Sequence, residues 1–557
     1  MAVLLLQWCY ISILAFVWGY TALSLLSDTN SDTEQSSSFP AVFIFLLGLA
    51  VIAFLANLSS LFVPIRLELQ LFLILIPLGI LSWKGSHLAI LLKYFSKINF
   101  WLILPLAFIS ANLCLGTTSN IDEGGYYLPL VKWIEVYQAV PGSALFIART
   151  GFNSSCHMLS AVFGFESLFP GGIYEINGCL FIWFNYYFIS VALKGIFRTE
   201  LPDLIHYVSA AALVFPFSYL LDSIDADYLS IMGGLVLLSL VSRDLLSKTK
   251  PGTKLIYYWI VGLFLMTVKT LSGFLMLVPL LYIPFKKTKL KLLLPLTGLT
   301  IIYLLPWFGR NVITTGYLIF PLHYVDLFDF DWKVPVEMTQ ASHLIVEEFA
   351  KIEKIRTSYT LDGVQSLAFR SWFPIWVSNA KAQIIGWASF LALSITGIAW
   401  LIVCVKELSE KRYKWPAICT LCIAVLSFWF LKFPAIRFGW SWILFSSVLS
   451  IFYFIREYFS KLGKPFLLLL LILAIASWTR LLYQQSVHMN LNRTKLVYPE
   501  KRKTNLGFRV DSTTGFAIQI SDGEACHGVA PPCKPYNNNY QIEARGKEIE
   551  AGFRIKN

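Results

Sequence analysis

Long apolar segments alternate with short polar loops along most of the chain. A helix needs about 20 consecutive apolar residues to cross the hydrocarbon core of a membrane. After residue 116 we place such segments at 177–197, 203–221, 228–242, 255–268, 271–284, 292–307, 383–405, 416–432, 438–455 and 465–483. Before it, similar segments lie at 2–26, 41–64 and 99–115. The pattern predicts an all-α polytopic transmembrane helical bundle.

Some segments are too short or too interrupted for simple crossings. The pair at 255–268 and 271–284 leaves three alternatives, namely tilted, bent or partly re-entrant helices. Polar residues interrupt the apolar segment 69–97, which is either two short crossings or one re-entrant element. Either choice gives an odd number of crossings before residue 116, and therefore predicts a cytoplasmic N-terminus.

Every second loop carries lysine and arginine, and the positive-inside rule assigns such loops to the cytoplasm. The clusters are Lys248, Lys250 and Lys254; Lys286, Lys287, Lys289 and Lys291; Lys406, Lys411, Arg412 and Lys414; and Arg456, Lys461 and Lys464. Residues 116–176, 222–227, 308–382 and 485–557 then lie on the outer face. We divide the chain into a membrane domain, 1–484, with long outer loops 116–176 and 308–382, and an outer-face tail, 485–557.

Composition agrees with a membrane protein. The 557 residues are 57% hydrophobic and only 14% charged, which excludes an ordinary soluble domain. The net charge of +12 comes largely from the cytoplasmic loops, so we expect the lipid bilayer as a partner and no nucleic acid. The first span lacks a basic n-region and, at residues 2–26, is long enough to remain as a helix, so we expect no cleavable signal. We expect a multi-pass membrane protein.

The tail has a different character. Residues 516–520 and 540–544 alternate apolar and polar side chains, which indicates a small β-rich unit. Cys526 and Cys533 are close in sequence, and on the outer face a disulfide between them is expected. A metal site is the weaker alternative, because His527 and two cysteines leave zinc short of its usual four ligands. We therefore predict no metal site.

The first long loop opens with an Asp122-Glu123 pair. An amphipathic helix that follows, over 128–137, is expected to lie in the membrane interface. It would hold a carboxylate just above the bilayer, where the carboxylate could deprotonate a hydroxyl group. The alternative is an acidic cap at a helix N-terminus, where the helix dipole favours negative charge.

Three cations near the outer face suit a phosphate group, and each has an alternative. Lys269 between two short spans either holds phosphate or extends to the lipid headgroups. Arg310 and Arg437 lie at span ends and have the planar geometry that phosphate oxygens favour. Their alternative is an ion pair with the acidic turn 222–227 or with lipid. That turn is expected to be solvated rather than to bind a cation.

Four stretches stand out in and beside the outer loops: Asp122-Glu123-Gly124 through Trp133 and Tyr137, Val140-Pro141-Gly142, Arg149 to Ser155, and Gly309-Arg310-Asn311 with Gly316-Tyr317. These stretches resemble a group of large, poorly characterised bacterial membrane proteins, which implies a place in the bacterial inner membrane. The layout of that group is similar to the GT-C class of membrane glycosyltransferases. By this resemblance Asp122 is the catalytic base and Glu123 its neighbour or substitute. Candidate substrate-binding residues are Tyr127, Arg149, Asn153, Lys269, Arg310, Asn311, Tyr317 and Arg437. The extra N-terminal spans depart from the simplest GT-C layout.

The resemblance implies transfer of a sugar from a polyprenyl-phosphate-linked donor to a hydroxyl group of a glycan, lipid or protein acceptor in the cell envelope. No cofactor is identified. The alternative is a transporter or flippase of a lipid-linked glycan, which should carry polar residues near mid-membrane in several spans. A non-catalytic scaffold is a third possibility, for which loss of Asp122 should have no effect.

Overall fold

The computed structural model describes residues 1–26, 39–83, 95–96, 98–115, 118, 120–169, 171–247, 254–282, 290–352, 368–382, 384–488, 508–511, 516–523, 525–536 and 538–556. The polar interruption of the segment 69–97 falls largely on 84–94, outside the described residues. So do most of the two lysine clusters at 248–254 and 286–291. The described chain is mostly helical, with a small C-terminal β region, which confirms the predicted fold class.

Eighteen α-helices are described. They are α1 (Ala2–Leu26), α2 (Ala41–Ser59), α3 (Leu67–Trp83), α4 (Phe100–Cys114), α5 (Leu128–Val136), α6 (Ser155–Phe163), α7 (Ile176–Phe197), α8 (Leu204–Val214), α9 (Ala226–Leu246), α10 (Lys254–Val268), α11 (Leu277–Leu280), α12 (Leu290–Thr315), α13 (Val336–Ile352), α14 (Phe369–Ala382), α15 (Ile384–Ser409), α16 (Lys414–Lys432), α17 (Ile436–Glu457) and α18 (Gly463–His488).

Eight of the described helices are long and apolar enough to cross a membrane, namely α1, α2, α7, α9, α12, α16, α17 and α18. The chain is therefore a multi-pass membrane protein. Helices α9 and α17 are buried over most of their length, whereas most of α18 is exposed on the side of the bundle. Helices α1 and α2 cross closely. Their backbones are so near that a Cβ on Gly48 would stand 1.7 Å from the Ala15 carbonyl oxygen, so the small glycine permits the contact.

Two predicted spans are shorter than expected. The segment 203–221 forms α8, which has 11 residues and a length of about 17 Å at 1.5 Å per residue. It ends at Val214 because Pro216 disfavours helical backbone at the residue before it. The segment 271–284 begins as a 3-10 helix over Thr270–Met276, and α11 adds only four residues. Neither crosses about 30 Å of hydrocarbon as a straight helix.

The second long loop begins later than predicted. Helix α12 continues to Thr315, so residues 308–315 are helical rather than part of a loop. Two further helices, α13 and α14, form the described body of this loop. Arg310 and Asn311 therefore belong to the last turns of a membrane helix.

The described tail contains five short strands. Strand β1 (Phe508–Asp511) pairs antiparallel with β2 (Ile518–Ser521), and β2 pairs parallel with β3 (Cys533–Pro535). Strands β4 (Ile542–Ala544) and β5 (Phe553–Ile555) form an antiparallel pair. The two alternating stretches contain β2 and β4, as predicted, and the expected Cys526–Cys533 disulfide is confirmed.

The tail packs against the first long loop. A second apolar cluster, separate from the bundle core, joins Trp133 and Phe146 of that loop to Ile542 and Phe553 of the tail. The Phe553 N–H donates a hydrogen bond to the Pro141 carbonyl oxygen at 2.9 Å. These contacts place the strands beside the segment that carries Asp122.

Candidate functional site

The acidic segment of the first long loop opens a tight helical turn. Asp122 precedes a π-helical turn, Glu123–Tyr127, which runs directly into α5. The Asn120 side chain accepts a hydrogen bond from the Asp122 N–H at 3.0 Å, which fixes where the turn begins. The Asp122 carboxylate makes no capping hydrogen bond to this turn. Asp122 and Glu123 nevertheless lie at the N-terminal end of this helical segment, which is where their alternative role places them.

The paired carboxylates differ in their access to solvent. The Asp122 side chain is 29% exposed, and its Oδ1 accepts a hydrogen bond from Arg149 Nη1 at 3.1 Å. Glu123 is only 1% exposed. The Arg149 guanidinium also lies over the Tyr126 ring, 5.8 Å from its centroid. A substrate can thus reach Asp122 more readily than Glu123, and Arg149 orients the Asp122 carboxylate.

The acidic turn before α9 is buried, so the expectation of a solvated turn is wrong. Asp225 caps α9 by accepting a hydrogen bond from the Asp227 N–H at 2.7 Å. Asp227 is ion-paired with Lys269 and with Arg437, whose Nε lies 3.3 Å from Asp227 Oδ2. Two cations compensate the buried negative charge, which the sequence spacing alone did not reveal. Burial and the neighbouring Asp227 charge raise the pKa of Asp225.

Lys269 and Arg437 both pair with the acidic turn before α9. Lys269 lies between α10 and the Thr270–Met276 turn, with its ammonium 3.7 Å from the centroid of the Phe438 ring. This lysine pairs inside the bundle instead of extending to the lipid headgroups. Arg437 has an ion pair with the acidic turn, as the alternative for the outer arginines stated.

The two acidic segments meet. Asn120 Nδ2 donates hydrogen bonds to Ser223 Oγ at 3.2 Å and to Asp225 Oδ2 at 3.4 Å. On the other side of the turn, Asn177 Nδ2 contacts the carbonyl oxygens of Leu220, Ser223 and Asp225 at 2.9–3.0 Å. Six charged residues from separate segments therefore gather at one end of the bundle. We call Asp122, Arg149, Asp225, Asp227, Lys269 and Arg437 the charged cluster.

Arg310 lies in the last turns of α12, near the end of a span as expected, but its side chain is buried inside the fold. Its side chain is 2% exposed, and neither Nε nor Nη1 has a hydrogen-bond partner among the described residues. No carboxylate of the described residues lies within ion-pair distance of it, so the ion-pair alternative fails for this arginine. A buried guanidinium without compensating charge is costly, which indicates that it serves a group other than these side chains.

Three predicted substrate-binding residues hold segments together. Asn153 Nδ2 donates a hydrogen bond to Asn311 Oδ1 at 2.9 Å, and the Asn153 carbonyl oxygen accepts one from Trp307 Nε1 at 2.7 Å. The Tyr317 hydroxyl donates to the Val334 carbonyl oxygen at 3.1 Å. These bonds tie α12 to the segment that carries Arg149 and order the start of the second long loop.

Tyr127 is buried against His157, a residue that the sequence analysis missed. Their ring centroids lie 4.7 Å apart. Burial lowers the pKa of His157 to about 4 and raises the pKa of Tyr127, with the charges of Asp225 and Asp122 adding to the latter shift. Both rings are therefore neutral near pH 7. They form the apolar support under the π-helical turn.

The tail covers part of this turn. The His527 N–H donates a hydrogen bond to the Gly124 carbonyl oxygen at 2.9 Å. A Cβ on Gly124 would stand 2.2 Å from the imidazole Nδ1 of His527, so only glycine permits this approach. His527 lies within the loop that the Cys526–Cys533 disulfide closes. Sequence reasoning did not connect these two segments.

Helix α5, which follows the π-helical turn Glu123–Tyr127, is not an interfacial helix, contrary to the expectation. All residues of α5 from Leu128 to Glu135 are buried. Lys132 Nζ contacts Glu135 at 3.1 Å, the Tyr174 hydroxyl at 2.6 Å and Glu166. Burial, with a hydrogen bond to Glu166 next in size, raises the pKa of Glu135 to about 8. Lys132 and Glu135 therefore belong to a buried charged group.

Within the described residues, no three His, Cys, Asp or Glu side chains gather closely enough to hold a metal ion. The charged cluster therefore consists of carboxylates neutralised by lysine and arginine. It is suited to proton transfer and to binding a polar or anionic substrate.

Comparisons with known proteins give one match. Neither the curated proteins nor the solved structures yield a match to this chain. One family model matches residues 1–444, which include the charged cluster and exclude the tail. The match covers well over half of the sequence, and the chain therefore belongs to the family described as Domain of unknown function (DUF8201).

Proposed function

We propose that the protein is a membrane glycosyltransferase that moves a sugar from a polyprenyl-phosphate carrier to an acceptor hydroxyl group on the outer face of the membrane. The observation that carries the proposal is Asp122, a solvent-accessible carboxylate beside an otherwise buried group of paired charges. A general base must reach its substrate and must keep a fixed direction. Asp122 meets both requirements, because Arg149 orients it and its side chain stays partly exposed.

In the proposed reaction the Asp122 carboxylate accepts the proton of the acceptor hydroxyl group. The acceptor oxygen attacks the anomeric carbon, and the bond from that carbon to the phosphate oxygen breaks. Polyprenyl phosphate leaves with the electron pair, so a single displacement inverts the anomeric centre. The buried Glu123 supports the turn rather than replacing the base.

Arg310 is the proposed partner of the departing phosphate. Its guanidinium is buried, and two of its nitrogen atoms lack hydrogen-bond partners among the described residues. An arginine in a dry site stabilises developing negative charge strongly. Lys269 and Arg437 contribute positive charge to the same end of the bundle while they remain paired with Asp227.

The structure gives less support to transport of a lipid-linked glycan. Described ion pairs gather near the two ends of the bundle, as in the charged cluster and in the Asp244 pairs with Arg243 and Lys254 near the opposite end of α9. A transport path should instead carry such groups near mid-membrane. The glycosyltransferase therefore remains the proposal.

The test compares cells that carry Asp122→Asn with cells that carry the unmodified protein, at equal amounts in the membrane. We expect loss of a sugar from an envelope glycan and accumulation of its lipid-linked donor on the outer leaflet. Asp329→Asn, an exposed aspartate of the second long loop, is the matched control and should leave both unchanged. Normal glycan in Asp122→Asn cells would refute the catalytic role. Donor accumulation on the inner leaflet alone would indicate a flippase.

A further inference from the structure

A polar cavity of about 520 Å³ opens at the surface of the second long loop, outside the charged cluster. One face of α13 forms its floor, with His343, Glu347 and Lys351 at helical spacing. The other walls are the loop before α13, the start of α14 and the last residues of α16. Nothing in the proposed transfer reaction uses this cavity.

Nitrogen groups outnumber carboxylates among its charged and titratable lining residues. Two lysines, Lys351 and Lys432, and two histidines, His323 and His343, face a single carboxylate, Glu347. That carboxylate is already engaged, since Lys351 pairs with it and His343 Nε2 lies 3.9 Å from it. The cavity therefore has an excess of hydrogen-bond donors over fixed negative charge.

Two of these nitrogen groups are available to a ligand. His323 Nδ1 is a buried atom without a hydrogen-bond partner in the described part of the chain. Lys432 is exposed and has no carboxylate within 4.0 Å among the described residues. The two imidazole centroids are 5.8 Å apart, close enough for both rings to contact one small ligand. An unpartnered buried nitrogen next to a free ammonium suits an anion.

We propose that this cavity binds a phosphate group, with Lys432 and His323 as its principal ligands and His343 as a third. Phosphate has the oxygen atoms to accept from all three side chains at once. The phosphate belongs either to a lipid headgroup or to a soluble phosphorylated compound. Phe349, on the same helix, lies 5.7 Å from the Arg437 guanidinium, so the site adjoins the charged cluster.

The experiment measures binding to the purified full-length protein in detergent by isothermal titration calorimetry. One arm uses inorganic phosphate, and the other uses phosphatidic acid in mixed micelles with phosphatidylcholine micelles as the blank. Lys432→Gln removes the exposed ammonium with little risk to folding. Lys461→Gln changes an exposed lysine of the loop between α17 and α18 and is the control.

We expect Lys432→Gln to weaken phosphate binding about tenfold, the size of one charge-assisted hydrogen bond, and Lys461→Gln to have no effect. Lys432-dependent binding of phosphatidic acid alone identifies a lipid headgroup as the source. Lys432-dependent binding of both ligands, with phosphatidic acid the tighter, also identifies a lipid headgroup. Lys432-dependent binding of inorganic phosphate that is at least as tight as that of phosphatidic acid identifies a soluble phosphate. Binding that is absent, or equal in both variants, overturns the proposal. Asp122→Asn should bind like the unmodified protein, so this result is independent of the proposed transfer.

Discussion

At the scale of single residues, two carboxylates of the charged cluster are held by neighbouring cations, Asp122 by Arg149, and Asp227 by Lys269 and Arg437. Asp122, Lys269 and Arg437 were recognised from their residue types in apolar surroundings, because charge near a membrane helix has few inexpensive explanations. Which cation meets which carboxylate depends on contacts between different segments, 27 residues apart for Asp122 and Arg149 and 42 residues apart for Asp227 and Lys269. His157 and Glu166 carried no local signal of this kind, and only the fold brings them to Tyr127 and Lys132.

Arg310 gives the sharpest test at this scale. Replacement by Met removes a buried charge for which the described residues supply no carboxylate, so the folded protein should become more stable, by about 1–4 kcal/mol. Donor turnover in cells should nevertheless fall, because the proposed phosphate partner is lost. Thermal unfolding in detergent and the lipid-linked sugar assay measure the two effects. Lower stability in Arg310→Met would show that the arginine has a structural role instead.

Glu135 predicts a pH dependence of stability. Its pKa is raised from 4.5 to about 8 in the folded protein, chiefly by burial. A raised pKa means that folding favours the protonated form. The contribution of Glu135 is therefore fully present below about pH 4.5 and is lost as the pH rises towards 8.

Glu135→Gln mimics that protonated form at every pH. We expect the variant to gain stability relative to the unmodified protein as the pH increases from 5 to about 8. Thermal unfolding at a series of pH values measures the difference. A constant difference across this range would show that Lys132 keeps Glu135 ionised in the folded state.

At the scale of helices and strands, hydrophobic periodicity predicted where apolar elements lie but not how long each stays helical. Nearly every expected span contains a helix, because 20 apolar residues have few other stable conformations in a membrane. The segments 203–221 and 271–284 contain only short helices, because Pro216 follows the end of α8 and a 3-10 turn after Lys269 precedes α11. The 308–315 segment was assigned to a loop because Arg310 and Asn311 are polar, whereas burial lets α12 continue through them.

The contact between Gly124 and His527 predicts coupling between two elements. Gly124→Ala should push the disulfide-closed loop away from the π-helical turn, because the methyl group of the new alanine would overlap the imidazole ring of His527. His527→Ala should remove that conflict. The double variant should lose less free energy of unfolding than Gly124→Ala alone, and the difference should be roughly 0.5–3 kcal/mol.

Hydrogen exchange of the amides in 123–127 measures this coupling directly. Faster exchange is expected in Gly124→Ala, with partial recovery in the double variant. Gly125→Ala is the matched control, because no atom lies within 4 Å of a Cβ at that position. If the effects of Gly124→Ala and His527→Ala are additive, the tail contacts the π-helical turn without stabilising it.

At the scale of the whole molecule, the residues that the charge pattern assigned to one face meet at one end of the bundle. Asp122, the acidic turn before α9, Lys269, Arg437 and the tail come from segments spread over the chain, yet their side chains or backbones form one connected set of contacts. Alternate loops of a bundle emerge at the same end, so the alternation of basic and acidic loops predicts that these segments lie together. The direction in which that end faces rests on the positive-inside rule.

That orientation is testable with an epitope tag at either end of the chain. The proposed transfer uses a donor on the outer leaflet, so the tail and Asp122 must face outward while the N-terminus faces the cytoplasm. A C-terminal tag should bind antibody on intact spheroplasts, and an N-terminal tag should bind only after the membrane is permeabilised. The tail contacts the π-helical turn at Gly124, so the side of the membrane on which the C-terminal tag lies is also the side of Asp122. A cytoplasmic C-terminal tag would place Asp122 out of reach of an outer-leaflet donor, and a transferase at this site would then have to use donors on the cytoplasmic leaflet.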